Sequence, residues 1–128
     1  LMVPASQLHP LQLQTTLPEV IGGLTRDGIG SGWVEHPERP GSLVGILTDG
    51  DLRRALQEHS PDSWTTLTAE DLMTSDPITV GGEELVVHAL ERMERNRRKP
   101  ISVLPVVDSD KRMMGLLRLH DLVQAGLA

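Results

Sequence analysis

A hydroxyl and a carboxylate stand three residues apart in the segment Thr48-Asp49-Gly50-Asp51, which directly follows an apolar run. This spacing is typical of a capping box, in which Thr48 accepts a hydrogen bond from the amide of Asp51 and Asp51 accepts one from the amide of Thr48. The segment Thr68-Ala69-Glu70-Asp71 repeats the spacing. On spacing alone, capping is therefore the favoured interpretation of Thr48 and Asp51.

Thr48 has a second interpretation, because the unpaired amides and the dipole of a helix N-terminus favour a bound anion. A ligand phosphate would then lie beside Thr48, with Arg53 and Arg54 one turn further along the helix. Asp49 opposes this by adding negative charge at the same place. Capping and phosphate binding are compatible, since a residue that caps the empty helix can become a ligand contact.

The other polar residues give little support to catalysis or metal binding. His120 beside Asp121 could form an acid–base pair, but no nucleophile or glycine-rich catalytic loop accompanies it. The chain has no cysteine, and its histidines lack metal-ligand spacing. These histidines are His9, His36, His59, His88 and His120. We therefore predict neither a metal site nor independent catalysis.

The strongest basic cluster lies at the end of a predicted helix and contains Arg95, Arg97, Arg98 and Lys99. Its ordinary explanation is a hydrated helix C-terminus, where cations complement the helix dipole. The alternatives are an anion-attracting rim of a ligand cleft and a contact for an acidic partner domain.

Charge and composition exclude some classes of partner. A net charge of -6 and an aromatic content of 2% disfavour nucleic acid, which rewards basic surfaces and stacking rings. No apolar run approaches the roughly 20 residues of a membrane-spanning helix, so we expect a soluble, cytoplasmic protein. Leu1 is not an initiator methionine, and we expect further sequence upstream.

The chain contains two copies of one unit, because Gly45–Leu52 matches Gly115–Leu122 at an offset of 70 residues. Each copy has the predicted order strand, helix, strand, strand, helix. The elements of copy one are expected at 11–14, 16–27, 33–35, 43–47 and 49–58, and those of copy two at 78–80, 83–96, 102–107, 113–117 and 119–125. The predicted boundaries are residues 1–58 for the first repeat, 59–67 for a polar linker and 68–128 for the second repeat.

These copies resemble the CBS (cystathionine beta-synthase) domain. The resemblance rests on Met73, Pro77, Leu104-Pro105-Val106-Val107-Asp108 and Gly115–Leu122, with the motif's Thr-x-x-Asp form at 48–51. It covers nearly the whole chain in two ordered copies, as in a tandem CBS pair or Bateman module. The resemblance implies an α/β (α+β) fold in which two β-α-β-β-α repeats pack through their sheets with pseudo-two-fold symmetry.

A narrower resemblance, carried by Gly45–Arg54 and Leu119–Gly126, joins the chain to the C-terminal regulatory part of bacterial arabinose-5-phosphate isomerases. In that family a sugar isomerase domain precedes the CBS pair and holds the catalytic residues. The resemblance therefore implies an upstream isomerase domain and no catalytic residue in this chain.

The resemblance also implies a ligand site. In CBS pairs that bind adenosine nucleotides, the motif's Thr and Asp contact the phosphate and the ribose hydroxyls, which gives these roles to Thr48 and Asp51. Strand residues flank the base, which makes Leu104 and Pro105 candidates. The other candidates at the two strand-to-helix turns are Asp49, Arg53, Arg118, His120 and Asp121.

The two copies differ at this site. Arg118 replaces the threonine in copy two, and Gly30-Ser31-Gly32-Trp33-Val34 replaces the Leu-Pro-Val-Val segment in copy one. An arginine can pair with a phosphate but cannot cap a helix as a hydroxyl does. We therefore expect two unequal clefts.

The resemblance implies a regulatory module that senses AMP, ATP, another nucleotide or a nucleotide sugar and modulates the attached isomerase. The alternative is a module that binds no ligand and stabilises the oligomer of the parent enzyme by dimerisation. A homodimer formed through CBS pairs is expected in either case, without nucleic-acid or membrane partners.

Overall fold

The computed structural model of the chain describes residues 2–83, 86–95 and 102–126, in which helices and strands are mixed. The chain divides into two compact units. The first unit is Leu8–Pro77, and the second unit combines Leu1–Gln7 with Ile78–Ala128. The mixed fold class expected from the sequence is confirmed.

Both units are built from strands and helices. In chain order the strands are β1 (Val3–Pro4), β2 (Ser31–His36), β3 (Arg39–Thr48), β4 (Thr74–Ser75), β5 (Val80–Gly81), β6 (Val103–Val107) and β7 (Met113–Arg118). The helices are α1 (Leu17–Asp27), α2 (Asp49–Glu58), α3 (Ala69–Leu72), α4 (Val86–Arg95) and α5 (Leu119–Gln124). Short 3-10 helices span Ala5–Gln7 and Pro61–Thr66.

The first unit packs its helices against a sheet of order β2-β3-β4. Helix α1 ends at Gly28, whose φ of 72° lets its amide bond the carbonyl of Leu24. Apolar residues at helical spacing on α1 and α2 join the inward face of the sheet to form an aliphatic core. This core includes Leu17, Val20, Leu24, Val34, Leu47, Leu52 and Ala55.

The second unit has a sheet of order β1-β7-β6-β5. In this sheet β5 is the first strand of copy two. It runs parallel to β6 and places Val80 opposite Val106. In the first unit, Leu11 makes the corresponding parallel bridge to Val34. Buried side chains of the second unit form their own core, which includes Val80, Ala89, Met93, Leu104, Val106, Leu117 and Leu122.

Several predicted boundaries shift in the structure. The strand expected at 11–14 is reduced to the single bridge at Leu11, because the chain turns and the amide of Thr15 bonds the carbonyl of Gln12 at 3.0 Å. The strand expected at 78–80 is Val80–Gly81. The helix expected at 83–96 is described from Val86 to Arg95, and residues 84, 85 and 96 lie outside the described residues.

The segment expected to be a polar linker, 59–67, is folded into the first unit. Most of it is the 3-10 helix Pro61–Thr66, in which the Trp64 indole donates to the carbonyl of His59 at 3.1 Å. The side chain of Trp64 packs against the first core, and Leu67 is buried within it. The segment does contain turns, as its composition predicted, but Trp64 and Leu67 anchor it to the core.

Each sheet receives an edge strand from the segment that precedes the other copy. β1, ahead of copy one, pairs with β7 so that Pro4 lies opposite Gly115. β4, ahead of the strands and helices of copy two, pairs with β3 so that Ser75 lies opposite Gly45. The compact units therefore divide at 7/8 and 77/78, whereas the repeats expected from the sequence span 1–58 and 68–128.

Glycine is needed where each of these edge strands pairs with its neighbour in the sheet. A Cβ atom at Gly115 would lie 2.5 Å from the carbonyl oxygen of Val3 and 2.9 Å from the sulfur of Met2. At Gly45 a Cβ atom would lie 3.1 Å from the carbonyl oxygen of Thr74. The same close approach thus occurs at equivalent positions of both copies.

Substituting Gly115→Ala is expected to displace β1 and to lower the free energy of unfolding by about 1 to 3 kcal/mol, as overpacking does. Gly22→Ala is the control, because that helix position has open space and gains about 0.5 to 1 kcal/mol. Thermal unfolding and amide exchange at Leu116 measure both. Equal stability of the two variants would contradict the close approach of β1 to Gly115.

Candidate functional site

The predicted capping box is present where β3 turns into α2. Thr48 ends β3 with extended backbone (φ −127°, ψ 165°) and caps the helix. Its hydroxyl accepts from the amide of Asp51 at 3.3 Å, and the Asp51 carboxylate accepts from the amide of Thr48 at 2.9 Å. The same box recurs at α3, where the Asp71 carboxylate accepts from the amide of Thr68 at 3.0 Å.

Arg54 is the arginine that reaches this turn. Its guanidinium donates to the Asp51 carboxylate from one helical turn away. The Asp51 side chain is 10% exposed, whereas the Arg54 side chain is 47% exposed. Arg53, the candidate chosen from the sequence, is exposed beside it on α2. The structure therefore places Arg54 in contact with the Asp51 carboxylate.

A glycine-rich loop lies against the same turn. Gly28 and Gly30 both have positive φ, and the carbonyl of Gly30 accepts from the amide of Asp49 at 3.0 Å. A Cβ atom at Gly30 would lie 2.7 Å from an Asp49 carboxylate oxygen. The Asp49 carboxylate thus occupies the space that a side chain at position 30 would need.

Trp33 marks the face of the sheet on which the Thr48 side chain lies. Ser31 is opposite Thr48 and Trp33 is opposite Ile46, and alternate residues of paired strands share a face. The Trp33 side chain is buried, and its indole nitrogen has no hydrogen-bond partner among the described residues. An unsatisfied buried donor is rare in native proteins. Sequence reasoning noted only that this segment departs from the motif, and missed the donor.

The equivalent turn of the second unit joins β7 to α5. Arg118 takes the N-cap position but makes no side-chain cap. Instead its Nε and Nη2 donate to the two carboxylate oxygens of Asp121 at 2.8 Å and 2.9 Å. Leu119 replaces Asp49 at this turn, and its amide donates to the carbonyl of Ser102 at 2.7 Å. The two turns share a backbone plan and differ in their side chains.

The Arg118 guanidinium sets the charge state of Asp121. Its hydrogen bond is the main cause that lowers the pKa of the Asp121 carboxyl below the ordinary value, although partial burial acts in the opposite direction. The positive charges of Arg118 and His120 lower the pKa further. Asp121 is therefore held as a carboxylate that faces a permanent cation.

Leu104, Pro105 and His120 occupy different surroundings. Leu104 lies in the core of the second unit, opposite Leu117, and Pro105 is fully buried beside it. Leu104 thus supports β6 from within, and its contact with a base stays a prediction. His120 is exposed at the start of α5. His88 is exposed on α4.

Metal-binding and membrane-spanning features are both missing from the described residues. In 2–83, 86–95 and 102–126, no three histidine or acidic side chains are grouped so as to hold a metal ion. No helix in those ranges has the length and apolar character that crossing a bilayer requires. In the basic cluster, residues 97–99 lie outside the described part of the chain, so its role stays a prediction.

Residues 69–128 match the family model described as the CBS domain. This range contains the Arg118–Asp121 turn and the strands and helices of copy two. Residues 69–128 belong to the CBS-domain family. The resemblance recognised from the Thr-x-x-Asp form of copy one and the Leu-Pro-Val-Val segment of copy two is confirmed.

A curated relative of this CBS chain is the arabinose 5-phosphate isomerase KdsD of Pseudomonas aeruginosa. The two are 42% identical over 122 residues, which are 94% of this chain and 35% of the relative. The arabinose 5-phosphate isomerase KpsF of Escherichia coli is 36% identical over 87% of this chain and 32% of its own length. The chain thus spans about a third of the length of the curated relatives it matches.

Among solved structures, the CBS chain is similar to CBSX2 in complex with AMP. The identity is 26%, the coverage is 98% of this chain and 92% of CBSX2, and the TM-score is 0.79. These values agree with the CBS-pair fold expected from the sequence.

Replacing Arg118 by Met is expected to raise the pKa of Asp121 toward the ordinary value of about 3.9. The pKa of Asp121 is lower in the folded chain than in the unfolded chain, so the ion pair raises the free energy of unfolding when the pH is above the ordinary pKa. This contribution is lost as the pH falls through the lowered pKa. Carbon-13 titration of the Asp121 carboxyl measures the shift. Arg112→Met removes the same charge and should leave the titration unchanged, whereas an unchanged Asp121 in Arg118→Met would contradict the assignment.

Proposed function

We propose that the chain is a regulatory module that binds an adenine nucleotide at the β3–α2 turn. The observation that carries this proposal is the Thr48–Asp51–Arg54 cluster. It places a hydroxyl and a guanidinium within hydrogen-bond reach of one poorly exposed carboxylate. A phosphorylated ribose offers matching groups, because its diol donates to a carboxylate and its phosphate accepts from a hydroxyl and a guanidinium.

The known proteins that resemble the chain support the kind of ligand. CBSX2, at 26% identity, is described in complex with AMP. ATP, other nucleotides and nucleotide sugars carry the same phosphorylated ribose and are further candidates. The unpaired indole donor of Trp33, on the same sheet face as Thr48, offers one more hydrogen bond to such a ligand.

The regulated partner in this proposal is an arabinose-5-phosphate isomerase domain elsewhere in the same protein. Its support is the 42% identity to KdsD of Pseudomonas aeruginosa, of which this chain matches 35%. Catalysis then belongs to the isomerase domain and not to this chain. Regulation requires that the ligand bind one arrangement of the protein better than another.

Calorimetric titration with AMP tests the binding site. Asp51→Asn is expected to weaken AMP binding by about 10-fold or more, since it removes a charged hydrogen-bond acceptor. Asp71→Asn is the matched control, because it alters the equivalent capping box of α3 and leaves the β3–α2 turn intact. No heat from the wild-type chain, or equal losses in the two variants, would overturn the proposal.

A second function, dimerisation without a ligand, is favoured by one observation. Asp121 already receives two hydrogen bonds from Arg118, so this copy holds its carboxylate without a ligand. Such a module would stabilise the oligomer of the parent isomerase. Sedimentation at micromolar concentration is then expected to show a dimer with AMP and without it, and a monomer would exclude this function.

A further inference from the structure

In each copy one arginine binds the carboxylate of the motif. The arginine follows the carboxylate in the sequence of copy one and precedes it in copy two. Asp51 is bound by Arg54, three residues later, and Asp121 is bound by Arg118, three residues earlier. The position equivalent to Arg54 in copy two is Gln124, which is exposed. The carboxylate is thus neutralised in both copies, although the arginine position is not repeated.

These two ion pairs differ in how firmly they are held. Arg118 belongs to β7, lies opposite Val103 and makes two hydrogen bonds, and its side chain is 25% exposed. Arg54 lies on the exposed side of α2, while Leu52 and Ala55 on the same helix carry the packing. The Arg54 side chain is 47% exposed, so water can solvate the guanidinium when it leaves Asp51. Arg54 can therefore leave Asp51 without disturbing the core.

Asp51 nevertheless needs donors, because its side chain is almost removed from water. The amide and hydroxyl of Thr48 both bond one carboxylate oxygen, at 2.9 Å and 3.1 Å. The other oxygen is the one that receives Arg54. A ligand hydroxyl that bonds this second oxygen would replace the guanidinium and release it toward the ligand's anion.

We infer that Arg54 is a displaceable latch at the β3–α2 turn. In the empty protein it neutralises Asp51, and in the complex it turns to the phosphate while a ligand diol bonds Asp51. The Arg118–Asp121 pair stays closed, so each chain binds one ligand of this class. This inference rests on the proposed nucleotide-binding function and assigns to Arg54 the choice of phosphorylated over unphosphorylated ligands.

A second observation points to a ligand on the same face of the sheet. The side chains of Trp33 and Thr48 project from that face, because Trp33 alternates with Ser31, the partner of Thr48. The indole donor of Trp33 is buried without a partner among the described residues. A bound ligand would provide the missing acceptor.

Comparing AMP with adenosine in Arg54→Gln and Arg53→Gln chains tests the latch. The two variants lose the same charge from adjacent positions, and Arg54 is the one in contact with Asp51. Arg54→Gln is expected to weaken AMP binding by about 10-fold and to leave adenosine binding within about threefold of wild type. Arg53→Gln should leave both within about threefold. Equal AMP losses in the two variants, or equal losses of AMP and adenosine in Arg54→Gln, would overturn the inference.

A titration with inorganic phosphate separates this inference from the nucleotide proposal if wild type binds neither AMP nor adenosine. The amide resonances of Thr48 and Asp51 should then shift with phosphate in wild type and Arg53→Gln but not in Arg54→Gln. In that case the latch serves another phosphorylated ligand, and the nucleotide proposal fails alone. No shift of these amides in wild type would overturn the latch as well.

Discussion

The hydrogen bonding of the Asp51 carboxylate is the interaction on which the first unit's site depends. The side chain is only 10% exposed, so the charge is tolerable only while donors surround it. Thr48 supplies two donors from the end of β3, and Arg54 supplies a third from within α2. One carboxylate thus fixes the direction in which the chain leaves the sheet, starts the helix and holds a guanidinium beside the turn.

The second unit shows what happens when the same backbone plan loses its hydroxyl. Arg118 stands where Thr48 would be and makes a two-pronged pair with Asp121, which lowers the pKa of that carboxyl. The cap is lost, and α5 has six residues where α2 has ten. The duplicated turns therefore keep one topology but differ in chemistry, consistent with one responsive turn and one fixed turn.

Features with a local physical cause could be predicted from the sequence. The capping boxes at Thr48 and Thr68, the helix over 49–58 and the mixed fold all follow from spacing and periodicity. The CBS resemblance was carried by motifs that were equally local. The exchange of β1 and β4 between copies was not predicted, because the strands are two residues long and their pairing joins positions far apart in sequence.

The choice between Arg53 and Arg54 is a second detail that the sequence could not predict. Arg53 and Arg54 are the same type of residue, and their different positions around the α2 axis decide which one reaches Asp51. The buried donor of Trp33 also depends on strand register, and only the glycine-rich context of that segment marked it as unusual. Burial and register, not residue type, decide these details.

We propose that a nucleotide binds at the β3–α2 turn of this chain. Amide chemical-shift mapping with saturating AMP tests it most directly, because every turn residue carries its own probe. We expect the largest shifts at the amides from Thr48 to Asp51 and at the Trp33 indole N–H, with little change at Arg118–Asp121. Shifts confined to other parts of the chain, or none at saturation, would contradict it.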